Sequence, residues 1–324
     1  MRRRQLLQLA GFAGLAALLP VGAYAQAVKI EGGGKATVLT GLQATYSLAT
    51  ALAAGTGITV RNLPPNGSPM DGVNRALARL KPEAFTDVTA VIDIAKLWAD
   101  DPLFPAVRAH NLTAIQIDAS FPWEHDETGK GVQVIATPTD DASWLKKEAA
   151  VTQPASPYVW LSLPNGIRMA ELIAADFVRI VPNDAARIQA NLIAISQALS
   201  AMKAQYEATF AASPNARVFA LANEFVYLFA DMGLFVDAWF TRQDVEWTAA
   251  DYAGLTKHLK SRGLKVVVHK WDPDAKVKAA VAAAGARLVI LNAGDSENPG
   301  PLATDGYQSL LKSNLDTLAK ALAA

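Results

Sequence analysis

Two carboxylates flank an imidazole at Glu124-His125-Asp126, with a further carboxylate at Glu127. Oxygen and imidazole donors together suit a hard or borderline cation. The same composition also makes a solvated acidic loop, and both readings stay open at this point. The other histidines are scattered. His110 and His258 fall near the C-terminal ends of helical stretches, where a partly positive ring suits the helix dipole, so both are read as structural. His269 ends a strand pattern and is followed by Lys270-Trp271-Asp272, which leaves it free to line a site. Cysteine is absent, which excludes disulfides, thiolate nucleophiles and Cys-ligated metal centres. No G-x-S-x-G elbow, H-E-x-x-H pair or dinucleotide fingerprint occurs. Gly32-Gly33-Gly34-Lys35 fails as a phosphate loop, because Ala36 stands where a Ser or Thr is needed and the leading glycine is misplaced. No catalytic constellation is present, and an enzyme is not expected.

The residues that position such groups fall into an ordered pattern. A chain of 324 residues, 51% hydrophobic and 19% charged, has the length of about two domains. Its formal charge is zero, and without a basic run beyond the extreme N-terminus nucleic acid is not an expected partner. That N-terminus reads as a signal peptide over residues 1–25. Arg2-Arg3-Arg4 precede a short apolar run, and Ala23-Tyr24-Ala25 forms the small-residue cleavage site before Gln26. Arg3-Arg4-Gln5-Leu6-Leu7 is also close to the twin-arginine pattern, with Gln8 where that pattern has Lys. With no cysteine to carry a lipid, the mature protein is expected to be soluble in the periplasm.

From residue 36 onward, β-like runs alternate with helical ones. Strands are expected at 36–39, 58–63, 88–94 and 113–117, and again at 217–221, 264–269 and 287–291. Helices are expected at 44–54, 70–80 and 103–110, then at 224–232, 248–262, 275–284 and 307–322. Such alternation implies parallel βα units. Residues 121–157 are polar and acidic and read mostly as a surface excursion. Between the two series Ile188, Leu192, Ile195, Leu199, Met202 and Tyr206 form one apolar stripe at helical spacing, with no Gly or Pro until Pro214. The fold class expected is α/β: two lobes of parallel sheet flanked by helices (26–182 and 213–324), joined by one long backbone helix at 183–212.

Several segments resemble, in order, those of the zinc/manganese ABC-transporter periplasmic binding proteins. Pro64-Pro65-Asn66-Gly67-Ser68-Pro69-Met70 is similar to their P-P-G-A-D-P-H turn, and Pro157-Tyr158-Val159-Trp160-Leu161 to P-H-V-W-L. Met169-Ala170-Glu171, Val181-Pro182-Asn183 and Asn191 follow as in that family. Ala222-Asn223-Glu224-Phe225-Val226-Tyr227-Leu228 is similar to H-D-A-F-G-Y-L, Leu291-Asn292 to the late L-D pair, and Asp305-Gly306-Tyr307 with Asn314-Leu315 to the closing helix.

The resemblance implies a periplasmic solute-binding subunit that serves an ABC permease of the inner membrane and acts as a monomer. It also implies a cleft at Met70, Tyr158, Ala222 and Asn292, where the family has three imidazoles and a carboxylate. A thioether, a phenol, a methyl group and an amide do not replace that set for zinc. Glu224 supplies one carboxylate, enough with Tyr158 and Asn292 only for a poor hard-cation site. Tyr158 and Trp160 are expected to give aromatic surface, and Asn223 and Asn292 hydrogen bonds. The cargo is left open between a divalent metal ion and a metal-containing small ligand. A non-transporting paralogue acting as a scaffold or regulator is the alternative. The export signal gives the first expected outcome: N-terminal sequencing of periplasmic protein should start at Gln26. A chain still beginning at Met1 would contradict it.

Overall fold

The computed structural model describes residues 35–65, 67–122, 130–146, 151–295, 303 and 305–323. The expected signal peptide, Asn66 and the His125 acidic cluster lie outside the described residues.

The first series of elements is β1 (Ala36–Thr40), α1 (Gln43–Ala53), β2 (Ile58–Asn62), α2 (Val73–Leu77), β3 (Ala90–Asp93), α3 (Leu103–Arg108) and β4 (Ile115–Asp118). Its strands form a parallel sheet in the order β2-β1-β3-β4, with Val38 opposite both Val60 and Ala90. The second series is β5 (Arg217–Ala220), α6 (Val226–Asp231), β6 (Phe235–Trp239), α7 (Ala249–Arg262), β7 (Val266–His269), α8 (Ala275–Ala283) and β8 (Arg287–Ile290). Its sheet is also parallel, in the corresponding order β6-β5-β7-β8. The inner strands are apolar because helices cover both of their faces. All four residues of β3 and all four of β7 are buried.

The two-lobed α/β class expected from the alternation is therefore the class observed. β6 went unread because it is an edge strand with an exposed Phe235 and an aspartate, Asp237, at its centre. The helix expected at 70–80 is a single 3-10 turn, Met70–Gly72, leading into the short α2.

Between the two series stand α4 (Leu163–Ile180) and α5 (Ala185–Ala211). At ~1.5 Å per residue, the 27 residues of α5 span about 40 Å. Ile188, Ile195, Leu199 and Tyr206 of the apolar stripe are buried, Leu192 and Met202 are partly buried, and Phe210 extends the stripe by one more turn. These side chains pack against α1, α4 and the terminal helix α9 (Gly306–Leu322). Asn191 Nδ2 donates to the carbonyls of Leu52 and Ala54, both at 2.9 Å, which ties α5 to the end of α1. Asp184 accepts from the Gly57 amide at 2.8 Å. At the other end the Tyr206 hydroxyl bonds Asp316 on α9.

Part of the expected surface excursion is instead anchored. Asp140 accepts from the Thr241 amide and Asp141 from the Trp239 amide, each at 2.7 Å, so both are tied to the end of β6, Asp140 half-buried and Asp141 still exposed. Ala142 is buried in the core of the second lobe. Trp144 stacks on Phe219 and donates to Asp251 at 3.0 Å. A Cβ at Gly254 would sit 2.4 Å from the Trp144 ring, so α7 carries a glycine where the indole lies on it. No helix among the described residues is long and apolar enough to cross a membrane.

Leu199 is fully buried on α5. Leu199→Ala should lower the unfolding free energy by ~2–5 kcal/mol, the usual result of deleting a buried leucine side chain. Urea denaturation of the two proteins measures it.

Candidate functional site

In parallel sheets the loops that follow the C-terminal ends of the strands are where ligands are gathered, at the point where strand order reverses. A cleft of about 730 Å³ lies at such loops. Its walls include Met70 and Asp71 beyond β2, Tyr158 ahead of the 3-10 turn Val159–Leu161, and Glu224 beyond β5. Lys270 and Trp271 follow β7, and Asn292 and Asp295 follow β8. β5 and β7 are neighbours at the reversal of the second sheet, so Glu224 and Lys270 emerge side by side.

Each wall is fixed from behind. Thr40 Oγ1 donates to Asn62 Oδ1 at 2.8 Å, and Asn62 Nδ2 donates to the Pro64 carbonyl at 2.8 Å, which holds the turn leading to Met70. Trp160 is buried and its Nε1 donates to the Ala293 carbonyl at 2.8 Å. It therefore braces the wall and does not supply aromatic surface to the cleft. Asn314 of α9 clamps Asn292 at both backbone groups, accepting from its amide at 2.9 Å and donating to its carbonyl at 2.7 Å. Gly294 then turns with φ of +80°, a conformation open to glycine, and a Cβ there would meet Leu310 at 2.8 Å. That turn delivers Asp295.

At the centre of the cleft is an ammonium group. Lys270 Nζ donates to Asp295 Oδ2 at 2.9 Å, to Glu224 Oε1 at 3.1 Å and to the Tyr158 hydroxyl at 3.4 Å. The Tyr158 hydroxyl donates in turn to Asp295 Oδ2 at 2.7 Å. Burial alone would push the Lys270 pKa down. The Glu224 and Asp295 carboxylates more than offset this, and the ammonium is held above the ordinary lysine value. Burial, followed by the charges of Asp295 and Glu224, raises the Tyr158 phenol, so it is neutral and no phenolate ligand is available. The Asp295 side chain is 3% exposed, and its Oδ1 has no hydrogen-bond partner among the described residues.

Of the residues singled out from the sequence, Met70, Tyr158, Glu224 and Asn292 line this cleft. Ala222 is buried in the core, Asn223 is half-buried, and neither is on the lining. Lys270, Asp295 and Trp271 were not selected from the sequence. The available signal was Lys270's place directly after a strand of pure valine and histidine. His269 holds that lysine rather than lining the cleft: it is buried, its Nδ1 accepts from the Lys270 amide at 2.8 Å, and its ring packs on Trp271 at 4.2 Å.

A second polar relay exists in the same lobe. Ser143 Oγ is 2.7 Å from His258 Nδ1, and His258 Nε2 is 2.8 Å from Asp237 Oδ2. Asp237 is also bound by Arg217, and none of these residues lines the cleft. The relay fastens the docked 140–145 segment to α7 and β6. His110 stacks on Phe85.

The model of the family described as zinc-uptake complex component A, periplasmic, matches residues 65–321. The chain belongs to that family. Solved structures agree on the fold. FpvC from Pseudomonas aeruginosa in complex with Mn²⁺ is 20% identical with a TM-score of 0.67, over 89% of this chain and 98% of that one. A ZnuA crystal structure is 19% identical with a TM-score of 0.64, over 89% and 99%. The metal-dependent lipoprotein YcdH from Bacillus subtilis is 19% identical with a TM-score of 0.67, over 90% and 100%. No curated protein sequence matches the chain. The fold is thus that of the family's metal-binding solute receptors. Among the described residues of this member, no group of three or more His, Cys, Asp or Glu side chains is placed to hold a metal ion.

The support behind Lys270 has a pH signature. Burial lowers the His269 pKa to about 4, against the opposing pull of Asp244, so the ring is neutral at pH 7. Between pH 6.5 and 4 the unfolded chain binds the proton and the folded one does not. Stability from this group is therefore full above pH 6.5 and is lost as pH falls toward 4. NMR titration of the ring should give a midpoint near 4. A midpoint near the ordinary histidine value of about 6.5 would contradict the buried placement.

Proposed function

We propose that the chain is the exported capture subunit of an ABC importer, handing a small polar solute in the periplasm to an inner-membrane permease, and that its cleft no longer takes zinc. Membership of the family supports the transport role. One observation carries the change of cargo: the Lys270 ammonium lies between Glu224 and Asp295, hydrogen-bonded to both. A divalent ion brought to the same oxygens would meet a positive charge at contact distance. At ~4 Å two like unit charges repel by about 4 kcal/mol even at an effective dielectric of 20, and more for a double charge. Met70, Tyr158 and Asn292 offer no imidazole or carboxylate to outweigh it. The cleft is also large for a bare ion and within the ~300–1,000 Å³ range of small-molecule sites.

Calorimetry of the mature protein with zinc should show weak binding or none. Tight stoichiometric zinc uptake, lost in Glu224→Gln, would overturn the reading. Combining Met70→His, Tyr158→His, Ala222→His and Asn292→Asp should restore zinc binding poorly while Lys270 remains. Adding Lys270→Met should strengthen it by about tenfold or more.

A further inference from the structure

We propose that the cargo is a small organic cation, an amine with several N–H donors, a conclusion that rests on the capture role proposed above. The hydrogen-bond capacities of the cleft point there. An ammonium has three donors, and Lys270 has given all of its own to Asp295, Glu224 and Tyr158. The Tyr158 hydroxyl has given its proton to Asp295. Among the described residues, the one positive group on the wall therefore has nothing left to offer an anion. Acceptors, by contrast, are in surplus. Asp295 lines the cleft, its Oδ1 is buried without a partner among the described residues, and an unpaired buried acceptor of this kind is costly. Asp71 is exposed at the rim.

Charge and surface agree with that reading. Among the described residues, Asp71, Glu224 and Asp295 face a single lysine across the lining, so the described wall is negative even with its internal counter-ion in place. Tyr158 already has one cation over its ring, Lys270 Nζ at 5.3 Å from the centroid. The half-buried indole of Trp271 is a second aromatic face on the same wall, and aromatic faces attract desolvated ammonium groups. A solute with an ammonium end and an apolar body fits donors to Asp295 and Asp71 and its body to Met70 and Trp271. A dicarboxylate or phosphate would find carboxylates and no free charged donor.

The test is thermal-shift screening of the mature protein, followed by calorimetry. The probes are putrescine, cadaverine, spermidine and agmatine on one side and succinate, citrate and inorganic phosphate on the other, with MnCl₂ and ZnCl₂ as metal controls. At least one amine should raise Tm and bind with one-to-one stoichiometry. Asp295→Asn should weaken that binding about tenfold or more, and Asp71→Asn, at the exposed rim and without consequence for folding, should weaken it several-fold. Lys270→Met should tighten the same amine, since it removes a like charge; a purely structural lysine would produce the reverse. Binding confined to anions, or no binding by any amine in the panel, overturns the inference while leaving the capture role standing. Tight binding of the zinc salt alone overturns the inference together with the reading that the cleft no longer takes zinc, and leaves the capture role standing.

Discussion

A parallel strand cannot be followed directly by its neighbour; the chain must cross back over a face of the sheet before it can pair again. Every strand in both sheets of this protein obeys that constraint. The crossovers cover the faces, make the inner strands mostly apolar, and leave the C-terminal strand ends as the place where polar side chains collect. Met70, Glu224, Lys270, Asn292 and Asp295 all follow strands, and all come from loops rather than from helix interiors. Their precision comes from what lies behind them: Asn62 under the Met70 turn, Asn314 clamping Asn292, and a neutral His269 under Lys270.

The connection between the lobes is equally constrained. α5 is fastened at one end to α1 by Asn191 and at the other to α9 by Tyr206. The segment around Trp144 leaves the first series to dock in the second core, and Tyr307 at the start of α9 donates to the Trp160 carbonyl at 2.7 Å. Chain thus passes between the two sheets by several routes. Wide hinge bending would strain the hydrogen bonds at each of them, so small adjustments of the cleft are the motion such a framework favours.

The architecture was legible in the sequence because it rests on periodicity and punctuation. Runs such as Val266-Val267-Val268, stops such as Gly263, and the stripe from Ile188 to Tyr206 are local signals. β6 was missed because an edge strand needs no continuous apolar run. The anchoring of Asp140 and Asp141 was not legible because a carboxylate bonded to backbone amides has the same local sequence as one that meets water alone. The site divides the same way. Met70, Tyr158, Glu224 and Asn292 lie in motifs that can be compared as short strings. Lys270 meets Asp295 across 25 residues and Tyr158 across 112, and no local pattern announces such a meeting. Trp160, expected in the cleft, is one side-chain layer behind it.

The internal counter-ion has a consequence for how the cleft responds to its surroundings. A bound metal ion is in exchange: its occupancy follows the free concentration outside and yields to any stronger chelator. A lysine side chain cannot leave. Its effective concentration at Glu224 and Asp295 is set by a covalent tether rather than by supply, so scarcity, excess or sequestration of metal in the medium leaves that charge where it is. Within the family fold, this cleft keeps a tethered cation at its centre that the supply of metal outside does not control.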